Sequence, residues 1–203
     1  MNHHAHQAGQ ASPRVGLFGG TFDPVHLGHL HIARMARETM QLDQVRFIPC
    51  RVSPHKPDGK PAAFAHRMKM LELALVNLPW AVADDIESRM EEPSYSWRTA
   101  DVLHRSMPEA SLFWIMGGDQ WTALPRWAEP ERLAACVEFI VVARGVPPEP
   151  RVGFSMHPLD CTHPASATEI RRAIADGAQD HPWLDPAVAK YIVSHALYRR
   201  EDG

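Results

Sequence analysis

Gly19-Gly20-Thr21-Phe22-Asp23-Pro24-Val25-His26-Leu27-Gly28-His29 joins a short apolar run, Val15-Gly16-Leu17-Phe18, to a stretch with helical periodicity. In that stretch Ile32, Met35, Ala36 and Met40 fall at i, i+3, i+4 and i+8, while Arg34, Arg37 and Glu38 face away. The local expectation is a strand, a tight glycine turn and a helix. Two glycines let a backbone approach a ligand closely. The free N–H groups and the dipole of a helix start favour an anion there. His26 and His29 are three residues apart and so meet on one face of the first turn, and Gly28 leaves room beside them for a bulky polyphosphate. GxGxxG is absent, so this is not a dinucleotide fingerprint, and no Gly-Lys-Ser/Thr marks a P-loop. The stretch reads as a triphosphate cradle that uses imidazoles in place of a lysine. The plainer alternative is a turn whose histidines cap or pack. A metal site of His26, His29 and His31 would lack a cysteine close in sequence to complete it.

Working outward, further strands are expected at Val45 to Ile48, Ala81 to Ala83, Leu112 to Met116 and Val137 to Ala143. Phe64, Met68, Leu71, Leu75 and Leu78 mark an amphipathic helix, and Tyr95 to Arg105 reads as another. One helix should start near Ser166. A last one should start at Pro186, with Asp185 as its cap. Strands alternating with helices imply right-handed crossovers and a mainly parallel sheet. In such sheets ligands sit beyond the carboxyl ends of the strands, near a switch point in strand order.

The 203 residues predict a single domain, placed at 14–200 behind a His-rich, polar tail over 1–13 that is expected to be disordered. His3, His4 and His6 in that tail are also a metal-binding pattern. A formal net charge of -3 gives no general basic footprint for nucleic acid, so phosphate must be met by a local site. Cys50, Cys136 and Cys161 are odd in number and form no CxxC, which fits a reducing compartment such as the cytoplasm. No apolar run approaches membrane-spanning length. Homo-oligomerisation is left open.

Ser166-Ala167-Thr168-Glu169-Ile170-Arg171 is the second informative string. Ser followed three residues later by Glu is a capping box. The same helix start can also bind phosphate, with the Thr168 hydroxyl and the forked cation of Arg171 added. Together the two strings resemble the nucleotidyltransferase superfamily with a T/HxGH motif and a late Ser-x-Thr-x-Ile-Arg motif. Ser53-Pro54-His55-Lys56, Pro93-Ser94-Tyr95-Ser96, Met116-Gly117-Gly118-Asp119 with Trp127, and Tyr191-Ile192 with Leu197-Tyr198 narrow the match. The set is similar to the bacterial nicotinate-nucleotide adenylyltransferases, over about Arg14 to Arg199. Ser96 stands where that family usually has Thr, Trp97-Arg98 replaces a small or acidic pair, and Gly118 replaces a variable small residue.

The resemblance implies a Rossmann-like α/β fold of nucleotidyltransferase type, a doubly wound parallel sheet with flanking helices. It implies transfer of AMP from ATP to nicotinate mononucleotide, with diphosphate released and Mg²⁺ carried on the ATP phosphates. His26, His29 and Arg171 would stabilise the phosphates. Gly19, Gly20, Thr21 and Phe22 would offer ATP backbone contacts, and Ser166 and Thr168 would hold its β/γ end. Lys56 would add charge from the loop over 51–61, and Arg144 would line the adenosine site. Asp119 either accepts from ribose or adenine or caps a helix. Trp127 either stacks on the pyridine ring or packs in the core, and Ser96 would help position the substrate carboxylate. Rival readings are a cytidylyltransferase or another adenylyltransferase of the superfamily, a nicotinamide-preferring enzyme, and a nucleotide-sensing domain without turnover.

Overall fold

The computed structural model describes residues 12–52, 61–143 and 145–199. Six strands, β1 (Arg14–Gly20), β2 (Gln44–Pro49), β3 (Ala81–Ala83), β4 (Ser111–Gly117), β5 (Glu138–Ala143) and β6 (Met156–Asp160), form one sheet in the order β3-β2-β1-β4-β5-β6. Every pairing is parallel. Seven α-helices flank it: α1 (Leu27–Met40), α2 (Phe64–Leu75), α3 (Ser96–Ser106), α4 (Gly118–Ala123), α5 (Pro130–Cys136), α6 (Ala167–Ala175) and α7 (Pro186–Ser194). The strand order reverses between β1 and β4, which opens the crevice where ligands bind in sheets of this kind.

The side-chain alternation of the central strands explains the two layers. In β4, Phe113 and Ile115 join one buried cluster with residues of α1, α2, α6 and α7. Leu112, Trp114 and Met116 join the other, with residues of α3, α4 and α5. A strand buried on both faces must be apolar at successive positions, as Leu112 to Met116 is.

The expected helical stripe of α2 is displaced. The helix ends at Leu75, and its buried face is Arg67, Met70, Leu71, Ala74 and Leu75, rather than one running from Phe64 to Leu78. The shift turns Arg67 inward, where its guanidinium donates from Nε to Ala62 O at 2.9 Å and from Nη1 to Thr21 O at 2.8 Å. A charge buried to 1% exposure is tolerable because it is hydrogen-bonded. β6 was not foreseen. It is an edge strand of sequence Met-His-Pro-Leu-Asp with one buried side chain, Leu159, and an edge can carry Pro158.

The expected tail over 1–13 lies largely outside the described residues, as do its histidines. At Pro13 the chain is tied to the sheet, its carbonyl accepting from Ser111 N at 2.8 Å. Among the described residues no helix is long and apolar enough to cross a membrane.

Candidate active site

The turn after β1 is set by Phe22, whose backbone is left-handed with φ 51. That conformation costs an L-residue roughly 1–2 kcal/mol. Burial holds it: Phe22 is 2% exposed, and its ring meets Phe18 at 5.6 Å, Phe47 at 5.7 Å and His29 at 5.0 Å. The turn brings Asp23 back under the loop. Asp23 Oδ1 accepts from Ala62 N at 3.0 Å and from the Tyr198 hydroxyl at 2.7 Å. Burial first, and then the Asp23 carboxylate, hold the Tyr198 hydroxyl well above its ordinary range, so it stays a donor.

His26 is the N-cap of α1, and its backbone N–H donates to His29 Nδ1 at 3.3 Å. The two rings stack, with centroids 3.7 Å apart and planes 19° from parallel. With Nδ1 accepting, the proton of neutral His29 sits on Nε2, which makes it a donor. Burial, with His26 adding to it, keeps His29 well below the usual imidazole range. Burial and then His163 lower His26 from 6.5 to about 4. His26 Nδ1 is buried and finds no hydrogen-bond partner among the described residues.

Two cavities lie beyond the strand ends. The larger, about 740 Å³, is bounded by His26, Gly28, His29, Asp119, Arg151 and His163, among others. The smaller, about 470 Å³, includes Gly19, Gly20, Thr21, Glu87, Ser96, Asp119, Arg126 and Trp127 in its wall. Asp119 borders both. It is exposed and sits in the first turn of α4, whose N-cap is Gly117, so the capping alternative for Asp119 does not hold. Trp127 borders the smaller cavity while also packing on the core beneath. Ser96 opens α3 at the same wall.

Other expected residues fall differently. Gly19 and Gly20 border the smaller cavity, not the larger. Space for a Cβ is taken by Trp114 at Gly19 (2.9 Å) and by the Phe22 ring at Gly20 (3.0 Å), so these glycines serve protein packing. The Phe22 side chain is in the core and borders neither cavity. Ser166, Thr168 and Arg171 do not border the larger cavity, whose wall holds the preceding His163 and Ala165 instead. Ser166 Oγ accepts from Glu169 N at 3.5 Å as the cap of α6. Arg171 reaches the first loop: Nη1 donates to Asp23 O at 2.6 Å and lies 3.8 Å from Asp23 Oδ2. It therefore stands at the same loop as His26, although 145 residues separate the two along the chain. Lys56 and Arg144 lie outside the described residues.

Glu87 has no counterpart in the sequence reading. It is 6% exposed in the wall of the smaller cavity, with Oε1 accepting from Thr99 Oγ1 at 2.9 Å and Oε2 from Arg51 N at 3.2 Å. Burial raises its carboxyl pKa. It lies in a short 3-10 turn with no periodicity to mark it. Among the described residues no three His, Cys, Asp or Glu side chains group as metal ligands.

The family described as cytidylyltransferase-like matches residues 17–173. A protein of Rhodopirellula baltica named "probable nicotinate-nucleotide adenylyltransferase" is 34% identical, covering 94% of this chain and 95% of that protein. One of Thermus thermophilus with the same name is 37% identical, over 92% of this chain and 100% of the relative. A solved structure of Plasmodium falciparum nicotinic acid mononucleotide adenylyltransferase complexed with NaAD superposes with a TM-score of 0.75. It is 19% identical over 92% of this chain and 97% of the other, a likeness of fold.

Proposed function

The chain belongs to the cytidylyltransferase-like family and is a nucleotidyltransferase, and from that premise we propose that it joins AMP from ATP to nicotinate mononucleotide. The products are nicotinate adenine dinucleotide and diphosphate, in NAD biosynthesis. The observation that carries the reading is the stacked pair of His26 and His29 in the wall of one cavity that meets a second one at Asp119. Two adjoining cavities suit two nucleotides whose phosphates must meet.

In the larger cavity ATP lies with its polyphosphate against the start of α1. In the smaller, the pyridine ring stacks on Trp127 and the 5′-phosphate faces the ATP α-phosphorus. An oxygen of that phosphate attacks the α-phosphorus in line, the bond to the bridging oxygen of the β-phosphate breaks, and diphosphate leaves with the electron pair. No covalent enzyme intermediate is needed. The protein acts by positioning and by stabilising developing charge. His29, neutral and with Nε2–H available, donates to the leaving phosphates without needing to be charged, and Arg171 adds a cation behind it. Mg²⁺ would be held mainly by phosphate oxygens and water. Asp119 is the carboxylate that both cavities share. Mg²⁺ would supply further charge neutralisation on the diphosphate.

The test is product formation from ATP with nicotinate mononucleotide and nicotinamide mononucleotide side by side, and from CTP in parallel. Diphosphate and nicotinate adenine dinucleotide should form fastest from ATP and the nicotinate substrate. Preference for the amide, or for CTP, would reassign the acceptor or the donor. ATP binding with no diphosphate released from any pair would leave a sensor domain.

A further inference from the structure

His163 lies between β6 and α6, ahead of the Ser166 motif, and nothing in that motif requires a histidine there. The fold nevertheless brings it to the wall of the larger cavity, together with His26 and His29. Its ring is fixed on two sides. Nδ1 accepts from Ala165 N at 3.1 Å, and the His31 ring packs against it with centroids 5.5 Å apart. An imidazole that accepts at Nδ1 carries its proton on Nε2. His163 is thus held in the same tautomer as His29 by an independent backbone contact.

The segment is also docked closely. A Cβ on Gly28 would lie 3.1 Å from Ala165 Cβ and 3.0 Å from His26 Nδ1, so the loop carrying His163 closes directly onto the first turn of α1. His163 is near enough to act electrostatically on His26. The larger cavity therefore has imidazoles from two elements, two from the start of α1 and one from the loop before α6.

We propose that His163 is a third imidazole donor for the triphosphate, giving its Nε2–H to a phosphate oxygen alongside His26 and His29. This rests on the reading of the larger cavity as the ATP site. Imidazoles from two elements can hold a polyanion without the permanent charge that a lysine at the same place would bury. His163 is partly exposed, and among the described residues its Nε2 has no hydrogen-bond partner.

The experiment compares wild type with His163→Ala, His163→Gln and His31→Ala. ATP dissociation is measured calorimetrically without acceptor, and inorganic tripolyphosphate is used as a competitor. His163→Ala should weaken both ATP and tripolyphosphate by about 10- to 100-fold, the scale of one hydrogen bond to a charged group. It should leave the KM for nicotinate mononucleotide and the melting temperature unchanged. His163→Gln, which keeps an N–H at similar reach, should recover part of the loss. His31→Ala, which removes the packing ring but no donor, should cost less than His163→Ala. Unchanged tripolyphosphate affinity in His163→Ala would overturn the proposal, as would equal losses from His31→Ala with a lowered melting temperature, which would make His163 a packing residue. Absence of ATP binding by the wild type would instead sink the reading of the cavity itself.

Discussion

Gly28→Ala tests whether the gap between two histidines is what makes the start of α1 functional. An ideal Cβ at position 28 would lie 3.0 Å from His26 Nδ1, 3.1 Å from His26 Cε1 and 3.1 Å from Ala165 Cβ, where ordinary contacts run at 3.4–4 Å. Something must therefore move by a few tenths of an ångström, and both neighbours belong to the site. The stability terms nearly cancel. Replacing glycine by alanine in a helix gains about 1 kcal/mol, and overpacking costs about 1–3 kcal/mol. For a chain of this size the net shift in melting temperature should stay within about 8 °C. The catalytic effect has no such compensation. A misplacement of about 1 Å costs on the order of 10²-fold, so a smaller shift of the His26 ring, passed to the stacked His29, should lower kcat by roughly 10-fold or more. Steady-state kinetics with saturating ATP and acceptor, alongside thermal melts, give both readings. Ala165→Gly in the same background reopens one side of the gap and should restore part of the rate, a coupling that a double-mutant cycle measures. A variant that melts several degrees lower yet turns over at the wild-type rate would refute the reasoning, because the gap would then serve packing alone.

His29→Ala should fold normally and lose at least ~10²-fold in kcat, the scale of one missing electrostatic donor; near-normal turnover would remove it from the phosphate site. Trp127→Ala should raise the KM for the pyridine nucleotide more than that for ATP, and equal changes in both would leave Trp127 as a core residue only. Arg67→Met should leave Ala62 O and Thr21 O without their donor and Asp23 without a buried cation, costing about 3–5 kcal/mol; urea denaturation showing less than about 1 kcal/mol would mean that water replaces the guanidinium. Stability should also fall with acidification. His26 is lowered from 6.5 to about 4, so between those values the unfolded chain binds the proton more readily and folding loses up to roughly 3 kcal/mol. His29 acts in the same direction, whereas Glu87, raised by burial, partly opposes them near the acidic end. Denaturation midpoints at pH 7 and pH 4.5 should differ, and the difference should shrink in His26→Gln; an unchanged difference would place the titration elsewhere.

The parts of this protein that repeat a local rule were readable in advance. The strand at Val15, the helix from Leu27, the buried β4 run and the Pro186 helix with its Asp185 cap all follow from periodicity and capping, and each stands where the rule puts it. What escaped the sequence is what depends on contacts made far along the chain. Leu78 looks like the end of an apolar helical stripe, but the helix stops at Leu75 and also buries Arg67, whose donors are answered by carbonyls at Ala62 and Thr21. β6 has too few apolar side chains to announce itself and exists because β5 offers it an edge. Glu87 and His163 carry no motif. Each becomes a candidate only when folding places it beside a cavity, and no spacing along the chain encodes that.

Asp23 shows why the two motifs must be read as one device. On its own it is the residue before a proline in a turn. In the fold its carboxylate binds Tyr198 and Ala62 N, and its carbonyl receives Arg171. The first loop, the start of α2, the α6 cation and the C-terminal segment are therefore fastened at one residue, 9% exposed. Buried networks of this sort fix geometry only when every member is satisfied. The consequence is a division of labour. Arg171 is held by Asp23 outside the wall of the larger cavity, while His26 and His29, whose pKa values burial lowers, stand in that wall. The Arg171 charge is thereby kept where the Asp23 carboxylate compensates it. A cradle so arranged should favour the charge that develops on the departing diphosphate over the charge already spread along bound ATP, which is the difference catalysis requires.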